Sequence, residues 1–244
     1  MTYLTLAFAT LITSIISGVL SMAGGMILMG VFGFFLSVPA AMVLHGIAQA
    51  VSNGSRVWLH RHHVRWNVLL PYAAGSFITL AIFISVAFIP NKAVLFILIG
   101  SFPFLTFVIP KRVNLDMVYW PVSFFCGLLV TATQMLAGAS GPVLDIFYIQ
   151  SSLTRFEILG TKAITQTLGH LIKLSYYAYF LTLNIDLPWW ICPSIVIAAI
   201  FGNWLGKKIV DRMNDASYKK IGKIAIMVVG GAYIAKGISE LSVF

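Results

Sequence analysis

The sequence predicts an all-α polytopic membrane protein made of two inverted repeats, each a broken re-entrant helical hairpin followed by three transmembrane helices. Of its 244 residues, 59% are hydrophobic and only 9% charged, whereas about a quarter of a soluble domain is charged. The apolar residues fall into eight blocks, most of them near the roughly 20 residues that a helix needs to cross a bilayer. Two of the blocks are too long for one crossing and carry helix breakers inside.

In chain order the blocks span 3–36, 38–58, 67–89, 92–109, 118–150, 156–181, 187–206 and 220–240. The first follows no basic segment and runs into further apolar sequence rather than a cleavage site, so it is expected to belong to the mature protein. Blocks one and five, at about 33 residues each, would make straight helices of about 50 Å against a hydrocarbon core of about 30 Å. Block one carries Gly24-Gly25, and block five carries Gly138, Gly141 and Pro142. A backbone broken in lipid survives only where protein or a wet cavity satisfies its polar groups.

An offset of 117 residues superposes the two breaks and continues without a gap. Gly24 falls on Gly141, Gln49 on Gln166, and Asn67 to Pro71 on Asn184 to Pro188, while His45 meets Lys162 and Arg56 meets Lys173. Only seven of the 54 positions from 18 to 71 are identical. The matches nevertheless sit on polar and helix-breaking residues rather than on Leu and Val, as an internal duplication leaves them. The expected repeats are 1–112 and 113–244.

Charge selects the inverted arrangement. Eleven of the sixteen Lys and Arg lie in three clusters: Arg56, Arg61 and Arg65; Lys111 and Arg112; and six residues between Lys207 and Lys223. Eight full crossings would put the third cluster opposite the first two, against the positive-inside rule. If blocks one and five dip in and return, all three clusters share the cytoplasmic side, and both chain ends lie on the other.

The interior polar residues form two stripes. His45, Gln49, Asn53 and Arg56 recur at helical spacing on block two, and Lys162, Gln166, His170 and Lys173 on block six, flanked by Thr161, Thr165 and Thr167. Intramembrane polar groups are costly and mark function by default. These stripes hold cations and amide donors but no acid, a composition suited to an anion. Half-helices starting at the breaks would add backbone N–H groups and a positive dipole end. The expected binding set is Gly24, Gly25, His45, Gln49, Asn53, Ser140, Gly141, Thr161, Lys162, Thr165, Gln166 and His170. Asp145, the one acid of blocks one and five, is expected either to pair with Lys162 or to carry a coupling proton. Arg56 and Lys173, near block ends, read as snorkelling anchors.

Other motifs carry less. His60-Arg61-His62-His63 would interest a metal site, but with five histidines in all the run reads better as a solvated basic loop, and no metal or cofactor is expected. Trp58, Trp66, Trp120, Trp189 and Trp190 read as an interfacial belt. Cys126 and Cys192 lie in apolar runs and read as small hydrophobes. No Walker-type phosphate loop occurs, so an ATPase motor is not expected.

Ser21-Met-Ala-Gly-Gly-Met-Ile-Leu28, Gly138-Ala-Ser-Gly-Pro-Val-Leu144 and Gly160-Thr161, set in duplicated halves, resemble the TauE/SafE sulfite exporter family over essentially the whole chain. Two features depart from the family pattern: its longer first glycine run is reduced to Gly24-Gly25, and the Gly-Thr pair after the first hairpin is replaced by His45-Gly46. The resemblance implies a secondary transporter, with no enzymatic activity, that exports sulfite, sulfoacetate or another organosulfonate across a bacterial inner membrane by alternating access. Its implied partners are that small anion and the lipid bilayer, with no nucleic acid; a homodimer stays open. An anion channel and a membrane redox enzyme stand as the alternatives.

Overall fold

A computed structural model describes residues 2–20, 23–108, 115–149, 151–181, 187–210 and 215–241. These residues form ten α-helices, with a 3-10 turn at Arg61–His63. Block one divides into α1 (Thr2–Leu20) and α2 (Ala23–Phe35), and block five into α6 (Trp120–Ala137) and α7 (Gly141–Ile149). The other blocks are single helices: α3 (Val38–His60), α4 (Trp66–Val86), α5 (Lys92–Val108), α8 (Arg155–Leu181), α9 (Ile191–Val210) and α10 (Asp215–Leu241). By length and composition, α4 and α6 suffice to cross a membrane, and shorter apolar stretches lie in α1, α2, α5 and α9. The eight expected blocks are therefore ten helices, because both long blocks break.

The first break does not fall at Gly24-Gly25. Both glycines lie in the first turn of α2, and residues 21–22 lie outside the described residues. Gly24 serves close packing instead, since a Cβ there would come within 2.2 Å of the Thr13 carbonyl oxygen and 2.6 Å of the Ser17 nitrogen on α1. The second break spans Gly138 to Ser140. Gly138 ends α6 in the left-handed region at φ 75° and returns its N–H to the Gln134 carbonyl at 2.8 Å, a common helix stop that suits glycine because it lacks a Cβ. Pro142, second in α7, sits where a missing N–H costs nothing.

The centre of the bundle is α3 against α8. Around it, α1 packs on α9 and α4 on α6, while α5 packs on α10. The α4–α6 contact is backbone to backbone: a Cβ at Gly127 would lie 2.0 Å from the Tyr72 carbonyl oxygen, and one at Gly75 2.2 Å from that of Phe124. Such close approach through small residues is the usual way of joining helices in lipid, where water gives no hydrophobic drive. Thr131 donates to the Ser76 hydroxyl at 2.8 Å across the same contact.

Large apolar side chains such as Phe8, Leu70, Phe125 and Ile197 cover the outer surface, while Thr10, Thr13, Ser14, Ser17 and most of the polar stripes, His45, Gln49, Asn53, His170 and Lys173, are buried. That inversion suits a lipid surround. Trp58, Trp66, Trp120 and Trp189 are exposed near helix ends. Cys126 is a buried thiol, and Cys192 a partly buried one.

Gly138→Ala places a side chain in left-handed backbone, which costs about 1–2 kcal/mol. It also drives a methyl to within 2.4 Å of the Met29 sulfur. Thermal unfolding in detergent is expected to show a clear fall in Tm, and an unchanged melt would mean that the α6 stop does not need glycine.

Candidate functional site

Where α3 and α8 cross the two helix breaks lies a small, partly open polar cavity of about 20 Å³. Its walls are Gly25 and Met26 of α2, His45, Gln49 and Asn53 of α3, Ala139, Ser140 and Gly141 at the second break, and Gln166 and His170 of α8. Eight of the twelve expected binding residues thus converge on one space from four parts of the chain. No carboxylate is among the lining residues. A buried water needs about 10–15 Å³ measured this way, so the cavity has room for little more than one. A larger cavity of about 470 Å³, between α3, α4 and α8, is lined by Gly54, Leu70, Leu171 and other mostly apolar residues, and its chemistry suits lipid tails rather than an ion.

The lining side chains are held at different levels. The His45 Nε2 lies 2.8 Å from the Gly25 carbonyl oxygen. A carbonyl only accepts, so Nε2 carries the proton and Nδ1 presents a lone pair. That lone pair receives an N–H from Lys173 Nζ at 2.7 Å, and the same Nζ donates to the Gly138 carbonyl at 2.7 Å. One chain of hydrogen bonds therefore joins the first turn of α2, the middle of α3, α8 and the end of α6. The rings of His45 and His170 meet edge-on at 5.5 Å. His170 Nδ1 is buried without a hydrogen-bond partner among the described residues.

Lys173 corrects the expectation of a snorkelling anchor, because it is wholly buried. Helix α8 runs 27 residues, about 40 Å at 1.5 Å per residue, so Lys173 lies well inside it. Arg56, its counterpart on α3, reaches the Ser17 carbonyl near the end of α1 at 3.1 Å. Each side chain thus donates to a carbonyl at the end of a broken helix, where carbonyls lack intrahelical donors.

The other expected residues lie beside the cavity. Gly24 packs on α1. Lys162 forms an ion pair with Asp145, the pairing alternative for that acid, and the pair clamps α7 to α8. Thr165 donates to the Lys162 carbonyl at 3.0 Å. The Thr161 hydroxyl accepts the Arg65 backbone N–H at 3.0 Å, tying α8 to the start of α4. Asn53, of the cavity wall itself, donates to the Gln49 carbonyl on its own helix at 3.0 Å.

Gln134 was not among the expected residues. It is buried on α6, accepts the Ser140 hydroxyl at 2.6 Å, and leaves its Nε2 without a partner among the described residues. An amide within an apolar block, one turn before a glycine break, was the available signal. The His60–His63 run is the 3-10 turn with exposed side chains at Arg61, His62 and His63, and His63 lies 5.4 Å from Phe156.

A helical protein whose outer surface is apolar and whose few buried polar groups converge at broken helices has the build of a membrane protein with a polar centre. A family model for the sulfite exporter TauE/SafE matches residues 6–233, and the chain belongs to that family. Its members are membrane transporters of the sulfite-exporter type rather than enzymes. No curated protein and no solved structure matched the chain significantly.

Removing Asp145 alone leaves a buried cation unpaired, which costs about 3–5 kcal/mol, whereas an apolar pair of similar volume is often tolerated. Asp145→Leu is therefore expected to lower Tm sharply and Asp145→Leu with Lys162→Met to recover most of the loss. Equal losses would show that the clamp is not ionic. At the start of α8, the Thr154 N–H and hydroxyl donate to Glu157 at 2.9 and 2.8 Å, and Arg65 pairs with the same carboxylate at 2.7 Å.

Proposed function

We propose that the chain is a secondary transporter exporting a small anion, such as sulfite, sulfoacetate or another organosulfonate, across a bacterial inner membrane as a multi-pass protein. The observation that carries this reading is the acid-free polar cavity at the two helix breaks, with Gln49, Gln166, Ser140 and His170 around it, the His170 Nδ1 having no partner among the described residues. Amide, hydroxyl and imidazole N–H groups are donors fitted to sulfonyl oxygens. Ser140 and Gly141 open α7 and Gly25 lies in the first turn of α2, where backbone N–H groups lack intrahelical partners. The anion binds there at mid-membrane, as in carriers built on discontinuous helices. Asp145 is committed to Lys162, so it holds α7 in place rather than carrying a proton.

The same reading includes inverted repeats over 1–112 and 113–244. Its support is the exchange of partners: α1 of the first half packs on α9 of the second, and α6 of the second on α4 of the first. Matched stripe positions also do matched work. His45 and Lys162 each bind the short helix of their own half, and Arg56 and Lys173 each reach carbonyls at the end of their own half's broken helix. The Ser151 hydroxyl donates to Asp116 at 3.0 Å, bringing together the chain on either side of α6 and α7, as a re-entrant hairpin requires. Rocking of one half against the other opens the tight cavity to each side in turn.

The test is flux in proteoliposomes with sulfite, sulfate, isethionate and sulfoacetate, alongside a Tm screen of the purified protein. Saturable flux and a Tm rise with at least one of them are expected, and Gln49→Ala with Gln166→Ala should remove both. Stabilisation that survives the double substitution would sink the site, and single-channel conductance would replace the carrier by a channel.

A further inference from the structure

The Lys173 side chain is an unusual object for the interior of a membrane protein. It is wholly buried, and no carboxylate lies in salt-bridge range of it among the described residues. Its Nζ makes two hydrogen bonds, to His45 Nδ1 and the Gly138 carbonyl. A neutral amine has two N–H groups, and these two acceptors use both. An ammonium has a third, for which the described residues offer no acceptor. A buried charge without a counter-ion costs several kcal/mol even after the protein relaxes. The geometry of the empty site therefore fits the uncharged amine.

The neighbouring titratable groups supply no counter-ion. On α3, His45 is fixed as the Nε2–H tautomer by Gly25, so its Nδ1 accepts from Lys173. On α8, His170 lies edge-on to His45, and the Tyr177 hydroxyl is donated to the Met135 carbonyl at 2.5 Å. On α7, Asp145 is taken by Lys162, and the Tyr148 hydroxyl lies at Thr165. What the site lacks is a negative charge, and the cavity beside His45 is where one would arrive.

We propose that Lys173 is a proton-binding residue coupled to the anion: the anion and one proton enter together, the proton adding to the Lys173 amine to give the ammonium, and both leave together. The inference rests on the anion-binding reading above. The amine lone pair takes the proton, and on release the N–H bond breaks and returns it to water. Each ion supplies the counter-charge that the other lacks, so the loaded site is neutral for a monoanion and the empty site is neutral as well. Neither ion is stable there alone, which excludes slip of a free proton or a free anion. The His45 ring, hydrogen-bonded to Lys173 and lining the cavity, is the positioning element between them.

Calorimetric titration of the purified protein in buffers of different ionisation enthalpy counts protons taken up per anion. The probes are isethionate, ionised over the whole range, and sulfite with its own protonation subtracted. About one proton per anion is expected near neutral pH, and affinity should fall about tenfold per pH unit as pH rises, by linkage. Lys173→Arg, charged at every pH, should bind with no uptake and a flat pH profile. Binding by the wild type without proton uptake, or with affinity independent of pH, overturns the inference and leaves the transporter reading standing. Uptake retained in Lys173→Arg overturns it too, by moving the proton to a histidine. Should that variant fail to fold, the wild-type pH profile decides alone. No heat and no Tm shift with either probe, sulfate or sulfoacetate removes the transporter reading itself.

Discussion

A helix that ends among apolar side chains leaves carbonyls without donors, and no water reaches them. Everything at the centre of this protein answers that constraint. Helix α6 stops at Gly138, whose carbonyl takes an N–H from Lys173, and near the end of α1 the Ser17 carbonyl takes one from Arg56. These donors come from α3 and α8, the pair of helices at the middle of the bundle. The breaks can exist because those two helices carry long donor side chains at the right height. Conversely, those side chains can be buried because the breaks offer them acceptors.

The same arrangement explains why the polar stripes are not uniform in role. Their first and last positions are bound to backbone and to Asp145, and the middle, Gln49, Asn53, Gln166 and His170, lines the cavity together with the His45 ring. A stripe of this kind is a scaffold at its ends and leaves open space between them. Its tightness follows as well. With both short helices pulled in by side-chain bonds, the cavity volume stays near that of one water, and a larger occupant fits only when one of those contacts shifts.

Much of the fold was legible in residue types. Breakers inside two overlong blocks located both divided helices, and stripe spacing placed most of the cavity wall. What sequence could not supply was depth. Lys173 was read as an anchor near its block's end, because spacing alone does not say that the end of α6 turns back over it. The first break was misplaced for a related reason: Gly24 is small because Thr13 and Ser17 press on it, and a packing glycine reads the same as a breaking one. Gln134 was missed because one amide in an apolar block forms no pattern until the chain turns back on it.

The exchange of partners between the halves also bears on time. Helix α1 starts at residue 2, but α9, on which it packs, starts at residue 191. During synthesis α1 must therefore remain in the bilayer with the face that α9 covers, around Leu11 and Ser14, open until most of the chain has followed it. Helix α4 waits less, since α6 begins at residue 120. The order in which the ribosome delivers the helices is thus almost the reverse of the order in which α1 and its neighbours can be completed. A chain interrupted before α9 would leave that face open to whatever membrane protein lies nearby.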